Sequence, residues 1–207
     1  LHIMCEIERA GATAPLPPAL HPQNMPTLSM YVFHCPDSEI GPINLAQVGI
    51  ASRSGTWPCN YLLKTVVQEQ AVADVLTERV GDRCTIGEVA LSVRSDRVTG
   101  RAAVGGTTIL DIGCHLPTPI SPGDVAYYSN INLAETPRGT ELAYYERRME
   151  VKKADRGAPM ITSFEPDAWG SDLVRLTYPV SASLVHADVT IGPLLMVSNP
   201  NVGRMAE

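Results

Sequence analysis

Long apolar runs are missing from this 207-residue sequence. The longest, such as "VALSV" and "IGPLLMV", fall far short of the roughly 20 residues a membrane helix needs, which excludes a helical span. Basic clusters interleaved with aromatics are missing too, and a net charge of −6 offers phosphate backbones no attraction, which argues against a nucleic-acid partner. There is no G-x-G-x-x-G and no G-x-x-x-x-G-K-[ST], so nucleotide cofactors are not indicated. The H-E-x-x-H and paired C-x-x-C metal patterns are absent, as is the G-x-S-x-G nucleophile word, so neither a metal nor another cofactor is expected. The five cysteines, Cys5, Cys35, Cys59, Cys84 and Cys114, are odd in number and evenly spread. With no N-x-S/T word, that spacing fits free thiols in a reducing, cytoplasmic compartment better than a disulfide framework. No secretory leader is legible, but the sequence opens on Leu1 rather than Met, which leaves targeting open.

What is present reads as one domain over residues 1–207, mainly β, with 44% hydrophobic residues to build a core. Residues 14–26, "APLPPALHPQNMP", carry five prolines and read as a loop. From Leu28 onward short β-like runs follow one another: "LSMYVFH", "INLAQVGIA", "YLLKTVV", "EVALSV", "RVTGRAAV", "TTILDIG", "ELAYYERRMEV", "DLVRLTYPV" and "PLLMVS". Each is bounded by Gly, Pro, Asn, Asp or Ser, as antiparallel strands are. Ser95 and Asp96 predict a tight hairpin between two of them. Only Glu69–Val80 spaces its apolar residues, Val72, Val75, Leu76 and Val80, as a helix does. One main helix docked on an antiparallel sheet or barrel is the expected architecture. The charged run Tyr144–Lys153 reads as an edge or solvated strand guarded by charge, with a partner surface as the alternative.

Chemistry-bearing residues are sparse. Cys84, at a strand start, and His34 could form a thiol–imidazole dyad if the fold joins them; a small buried hydrophobe is the competing assignment for Cys84. His34 shares a strand face with Met30 and Val32, and is either a pocket acid or base or a hydrogen-bonded core histidine. The neighbours Cys114 and His115 point to opposite faces of a strand and so do not make a metal pair.

The order of several local words resembles the acetoacetate decarboxylase superfamily. "PLPPAL" followed by "LSMYVFH" resembles its early loop and strand, and Ser29–Val89 can be laid on the family pattern without a gap. In that family the helix ends in G-R-E-x-x-G-[YF]-P-K-K-L-[GA], where this chain has "LTERVGDRCTIG". "DAWG" (Asp167–Gly170) and "GPLLMVSNP" (Gly192–Pro200) resemble two later words. The resemblance implies that family's barrel-like fold and keeps its scaffold at Glu78, Gly81, Ile86 and Gly87.

The family's chemistry does not carry over. Its two lysines, one of which forms a Schiff base with a keto group, fall on Cys84 and Thr85; its proline falls on Arg83 and its pocket aromatic on Asp82. Activation of such a lysine by a neighbouring cation is an established device, illustrated by this very enzyme. Neither Cys84 nor Thr85 can form an imine. The family's pocket glutamates fall on Met30 and Leu45, and its pocket arginine would lie before Leu1.

Two functions follow from the resemblance. The first is an enzyme without covalent catalysis, a cyclase, isomerase, dehydratase or decarboxylase acting on a keto- or polyketide-derived small molecule of secondary metabolism. In it Asp82, Arg83, Cys84, Thr85 and His34 are the catalytic candidates, while Met30, Leu45, Gln47 and Trp57 contact substrate; Gln47 enters because it shares a strand face with Leu45. The second is a carrier for an apolar small molecule. Convergence of the polar candidates on one point favours the first, dispersal the second. Assembly into a homo-oligomer is implied by the resemblance alone.

Overall fold

The structure, a computed structural model, describes residues 1–125, 127–137 and 139–201. Twelve strands form one mixed sheet. They are β1 (His2–Ile7), β2 (His21–Pro22), β3 (Thr27–Cys35), β4 (Ile43–Ser54), β5 (Trp57–Val67), β6 (Cys84–Ile86), β7 (Glu88–Val93), β8 (Arg97–Val104), β9 (Thr107–Ile120), β10 (Asn130–Thr136), β11 (Gly139–Phe164) and β12 (Leu176–Ser198). The helices are a single turn, α1 (Arg9–Thr13), and the main helix, α2 (Gln70–Val80).

Along the sheet the order is β10-β5-β4-β3-β1-β12-β11-β9-β8-β7, and β10 also pairs with β11. That extra pairing closes β10, β5, β4, β3, β1, β12 and β11 into a ring. Strands β9, β8 and β7 continue from β11 as a flap over the outside of the ring.

Alternation decides what each side of the ring receives. Leu28, Met30 and Val32 of β3 and Ile3, Cys5 and Ile7 of β1 face outward. There they meet Val98 and Ala102 of β8 and Leu110 and Ile112 of β9 in the main hydrophobic core. Each large aliphatic side chain fully buried there contributes about 1.5–3 kcal/mol. The contact is close enough that a Cβ on Gly100 would lie 2.7 Å from a Val32 methyl. Trp169, in the turn carrying "DAWG", closes the rim of this core and donates its indole N–H to Ile109 O at 3.2 Å.

The helix plugs one end of the ring. Val72, Ala73, Leu76 and Val80, one face of α2, pack on Val67, Leu45, Cys84, Tyr145 and Leu194. At Gly81 the backbone turns left-handed (φ +71°), a conformation glycine enters without a Cβ penalty. Gly81 N–H bonds to Thr77 O and Asp82 N–H to Leu76 O, so the chain leaves the helix directly into the ring interior.

The expected helix is found, and the hairpin turns at Ser95 and Asp96, with Arg94 N–H bonded to Arg97 O at 2.8 Å. Four strands lie outside the expected set: β1, β6 and β10, which lack clean punctuation, and β2, a two-residue strand inside the proline-rich run read as a loop, where His21 and Pro22 pair with Arg53 and Ser52 of β4. The run beginning at Asp172, from Leu176 onward, and the run beginning at Pro193 belong to one strand, β12. Gly192 and Pro193 read as a break, yet they sit opposite a bulge between Tyr145 and Arg147, where the ladder has no use for a proline N–H. The sheet is mixed because β5 pairs in parallel with both β6 and β10. Tyr145–Lys153 is paired with β12 on one side, while β10 stops at Tyr144 and β9 begins at Ala154, which leaves the other side an edge. Exposed Glu146, Arg148, Glu150 and Lys152 guard it, with Arg148–Glu146 and Lys152–Glu150 ion pairs.

Candidate functional site

Register assembles the ring interior. Ser183, His2, Tyr31, Gln47, Thr65 and Cys84 are successive partners across β12, β1, β3, β4, β5 and β6. Partners in a ladder share a face, so these six form one row along the interior wall. Phe33, Leu45, Val67 and Ile86 form the next row, toward the helix.

Asp82, delivered by the Gly81 turn, sits against that wall and is 2% exposed. Its Oδ2 accepts Gln47 Nε2 at 2.8 Å and Thr65 Oγ1 at 2.9 Å; its Oδ1 accepts Asn132 Nδ2, from β10, at 2.6 Å. Asn132 Nδ2 also donates to Val80 O at 3.1 Å and Thr77 Oγ1 to Asp82 O at 3.1 Å, which pins the turn from both sides. Burial raises the Asp82 carboxyl to about 6 and outweighs the three hydrogen bonds and the Arg147 charge, which act to lower it. A carboxyl in that range can both take and return a proton near neutrality.

Across the interior, β11 contributes Tyr145 and Arg147. Asn60 Nδ2 donates to Asn130 Oδ1 and Asn130 Nδ2 to Tyr145 Oη, both at 3.1 Å, so the phenol is held by a chain of amides. Burial, with the nearby Asp82 charge, keeps that phenol protonated. The Arg147 guanidinium carbon lies 5.6 Å from the ring centre of Tyr31 and 5.7 Å from that of Phe33, within cation–π range of both. The His2 ring stacks on Tyr31 at 4.3 Å and meets Tyr127 edge-on at 5.2 Å. Burial, with the Arg147 charge adding to it, lowers His2 to about 3, so its imidazole is neutral at physiological pH.

Of the residues singled out in the sequence, the structure brings Asp82, Gln47 and Cys84 together. Burial and the Asp82 charge push the Cys84 thiol up to about 12, the wrong direction for a nucleophile. Leu45 is interior but belongs to the apolar floor over α2. Met30 faces outward into the main core and is fully buried there. Thr85 pairs with Val66, a core residue, and so points away from the Cys84 row. Arg83 is exposed and lies by the Tyr61 phenol. His34 shares the outward face of Met30; it is exposed, and its Nδ1 is 2.7 Å from Asn44 Oδ1, so it forms no dyad with Cys84. Trp57 is 40% exposed and stands edge-on to Tyr144 at the outer end of β5.

Thr65, Asn132, Tyr145, Arg147 and His2 are the interior polar residues the sequence reasoning missed. The alternation in "YYERRMEVKK", where Tyr145 and Arg147 oppose Glu146 and Arg148, was the one local signal for two of them. The three lysines of the sequence lie elsewhere: Lys64 Nζ donates to Ala168 O, Lys152 pairs with Glu150 and Asp188, and Lys153 pairs with Asp155. Two surface clefts, of about 410 Å³ by Arg94 and Arg97 and about 520 Å³ by Ile161–Asp167, are lined by none of these site residues. Among the described residues no cluster of three His, Cys, Asp or Glu could hold a metal, and no helix is long and apolar enough to cross a membrane.

No protein-family model and no curated protein matches the chain. Solved structures do match. Acetoacetate decarboxylase from Legionella pneumophila superposes with a TM-score of 0.84 at 19% identity, over 95% of this chain and 83% of that one. The enduracididine biosynthesis enzyme MppR, complexed with pyruvate, gives 0.78 at 14% identity, over 96% and 87%. MppR has also been solved with the condensation product of pyruvate and imidazole 4-carboxaldehyde. An acetoacetate decarboxylase-like enzyme from Sphingomonas wittichii RW1 gives 0.74 at 18% identity, over 96% and 90%. The chain therefore has the acetoacetate decarboxylase-like fold.

Proposed function

We propose that this chain is a divergent acetoacetate decarboxylase-like enzyme that acts without an imine on a keto-bearing or polyketide-derived small molecule. Its work is proton transfer next to a carbonyl, the step shared by isomerisation, dehydration, cyclisation and decarboxylation of such compounds. Asp82 is the acid/base. Its Oδ1 accepts only one hydrogen bond, which leaves a lone pair for the proton that moves. Gln47 and Thr65 fix the carboxylate plane through Oδ2, and the Arg147 charge favours the enolate that forms. Cys84 is packing in this scheme. The same reading gives a cytoplasmic homo-oligomer that uses no cofactor.

The observation that carries the proposal is Asp82 itself: one buried carboxyl, tuned near neutrality, at the point where interior polar groups converge. The neighbouring folds, among them an enzyme solved with pyruvate, lend support. The competing reading, a carrier for an apolar molecule, draws on the 2% exposure of Asp82 and on the apolar floor over α2.

The test incubates purified protein with acetoacetate, longer β-keto acids and polyketide-like lactones, with and without borohydride, and reads products by mass spectrometry. Product without a trapped adduct, lost by at least about a hundredfold in Asp82→Asn, is expected. Ligand bound unchanged across the panel would favour the carrier, and a borohydride adduct on any lysine would overturn both readings.

A further inference from the structure

Two nitrogens inside the ring have no hydrogen-bond partner although both are buried: Arg147 Nη2 and His2 Nε2. Polar groups in that state are costly and uncommon, and a guanidinium costs more than an imidazole. Tyr31 and Phe33 offset part of that cost, by cation–π attraction and by a hydrogen bond between the Tyr31 phenol and the guanidinium, but Arg147 Nη2 itself stays without a partner. No carboxylate forms an ion pair with Arg147 among the described residues; Asp82 acts on it only at longer range. Both groups lie against the same Tyr31 ring, with Tyr127 closing the side of His2.

We infer that Arg147 and His2, held against Tyr31, form an anion subsite separate from the Asp82 cluster, and that its ligand is a small carboxylic acid rather than a neutral lactone or polyene. The carboxylate bonds to Arg147 Nη2 and to His2 Nε2, whose proton it fixes on that nitrogen. The guanidinium is planar and rests on aromatic faces, so its free edge is pre-oriented and little side-chain entropy is lost on binding. Neither nitrogen has another acceptor to give up. That the carbon chain of the ligand extends toward Asp82 rests on the role proposed for that residue; the subsite itself does not.

The probes are matched pairs that differ in charge alone: levulinate against methyl levulinate, and pyruvate against methyl pyruvate. Calorimetric titration of the wild-type protein should show the acids binding at least about tenfold more tightly than the esters, the scale of one charge-assisted hydrogen bond. Arg147→Met should erase that preference, and Arg147→Lys should recover part of it, because a point charge replaces the fork. Arg147→Met without ligand should unfold at the same or a higher temperature, since it removes a partly buried charge that has no carboxylate partner among the described residues. A merely structural arginine would lower that temperature. The His2 ring nitrogen signal in NMR should shift on adding levulinate to the wild-type protein, a reading that needs no variant to fold.

Equal affinity for acid and ester, binding of neither, or a preference that survives in Arg147→Met would overturn the subsite. Acid bound in this way but never converted would leave the subsite standing and remove the enzymatic reading. Conversion of the ester at the rate of the acid would do the reverse.

Discussion

Ionisation of Asp82 should cost the folded protein stability, and the size of the effect can be worked out. In the unfolded chain the carboxyl titrates near 3.8; in the folded ring it holds its proton to about 6. Between those values the folded state binds more protons, so the Asp82 contribution is full below pH 3.8, falls as pH rises through the window, and is flat above it. A difference of about two pKa values at 1.36 kcal/mol each gives about 3 kcal/mol. Replacing Asp82 by Asn removes the titration. The new amide oxygen can still accept Gln47 and Thr65, while the new NH₂ can meet Asn132 only if that amide turns its unpartnered Oδ1 inward and gives up its bond to Val80 O. That exchange loses about one hydrogen bond, or about 1 kcal/mol. Asp82→Asn should therefore be about 1 kcal/mol less stable than wild type at pH 3.8 and about 2 kcal/mol more stable at pH 8. Urea unfolding of both proteins at half-unit steps from pH 4 to pH 8 gives the difference curve, in which the other carboxyls cancel. A flat curve, or one in which wild type gains on the variant as pH rises, would refute the assignment of Asp82 as a group kept protonated by burial.

Two further expectations concern its neighbours. With its thiol pushed up to about 12, Cys84 should react with iodoacetamide at pH 8 about a thousandfold more slowly in the native protein than after unfolding, as read by mass spectrometry of its peptide; rapid native labelling would contradict the burial described. Gly81→Ala should lose about 2–3 kcal/mol in the same urea assay, because φ is +71° and the new Cβ would lie 2.9 Å from that of Ala134; a loss under 0.5 kcal/mol would mean the turn at the end of α2 is not as drawn.

Elements with a strong local period were legible in the sequence. Helix α2 announces itself through Val72, Leu76 and Val80, and β8 through turn residues at both ends. Fold type was legible through ordered words rather than through any period, since "DAWG" and "LTERVGDRCTIG" act on parts of the chain far from themselves. The polar centre was half legible. Asp82 and Gln47 were reached from the resemblance and from strand alternation. Thr65, Asn132, Tyr145 and Arg147 were not, because their meeting depends on registers between strands distant in sequence. Face assignment was the recurrent source of error: Met30 and His34 share a face, as expected, but it is the face turned to the outer core. Nothing within "LSMYVFH" tells which side of a strand a later flap of β7, β8 and β9 will cover.

The ring is closed unevenly. Strand β10 holds β11 through six registered pairs but β5 through only two, Asn130 with Asn60 and Ile131 with Tyr61. Every other join in the circuit is a longer antiparallel ladder, and the far end is stoppered by α2. A molecule entering or leaving the interior thus has a cheapest doorway, the seam between β5 and β10, where few backbone bonds must part. The hinge of that doorway is chemical as well as mechanical. Asn130, whose amide ties Asn60 to Tyr145, and Asn132, which holds Asp82, sit on the same short strand, so parting the seam loosens the grip on Asp82 at the moment the interior is open to water.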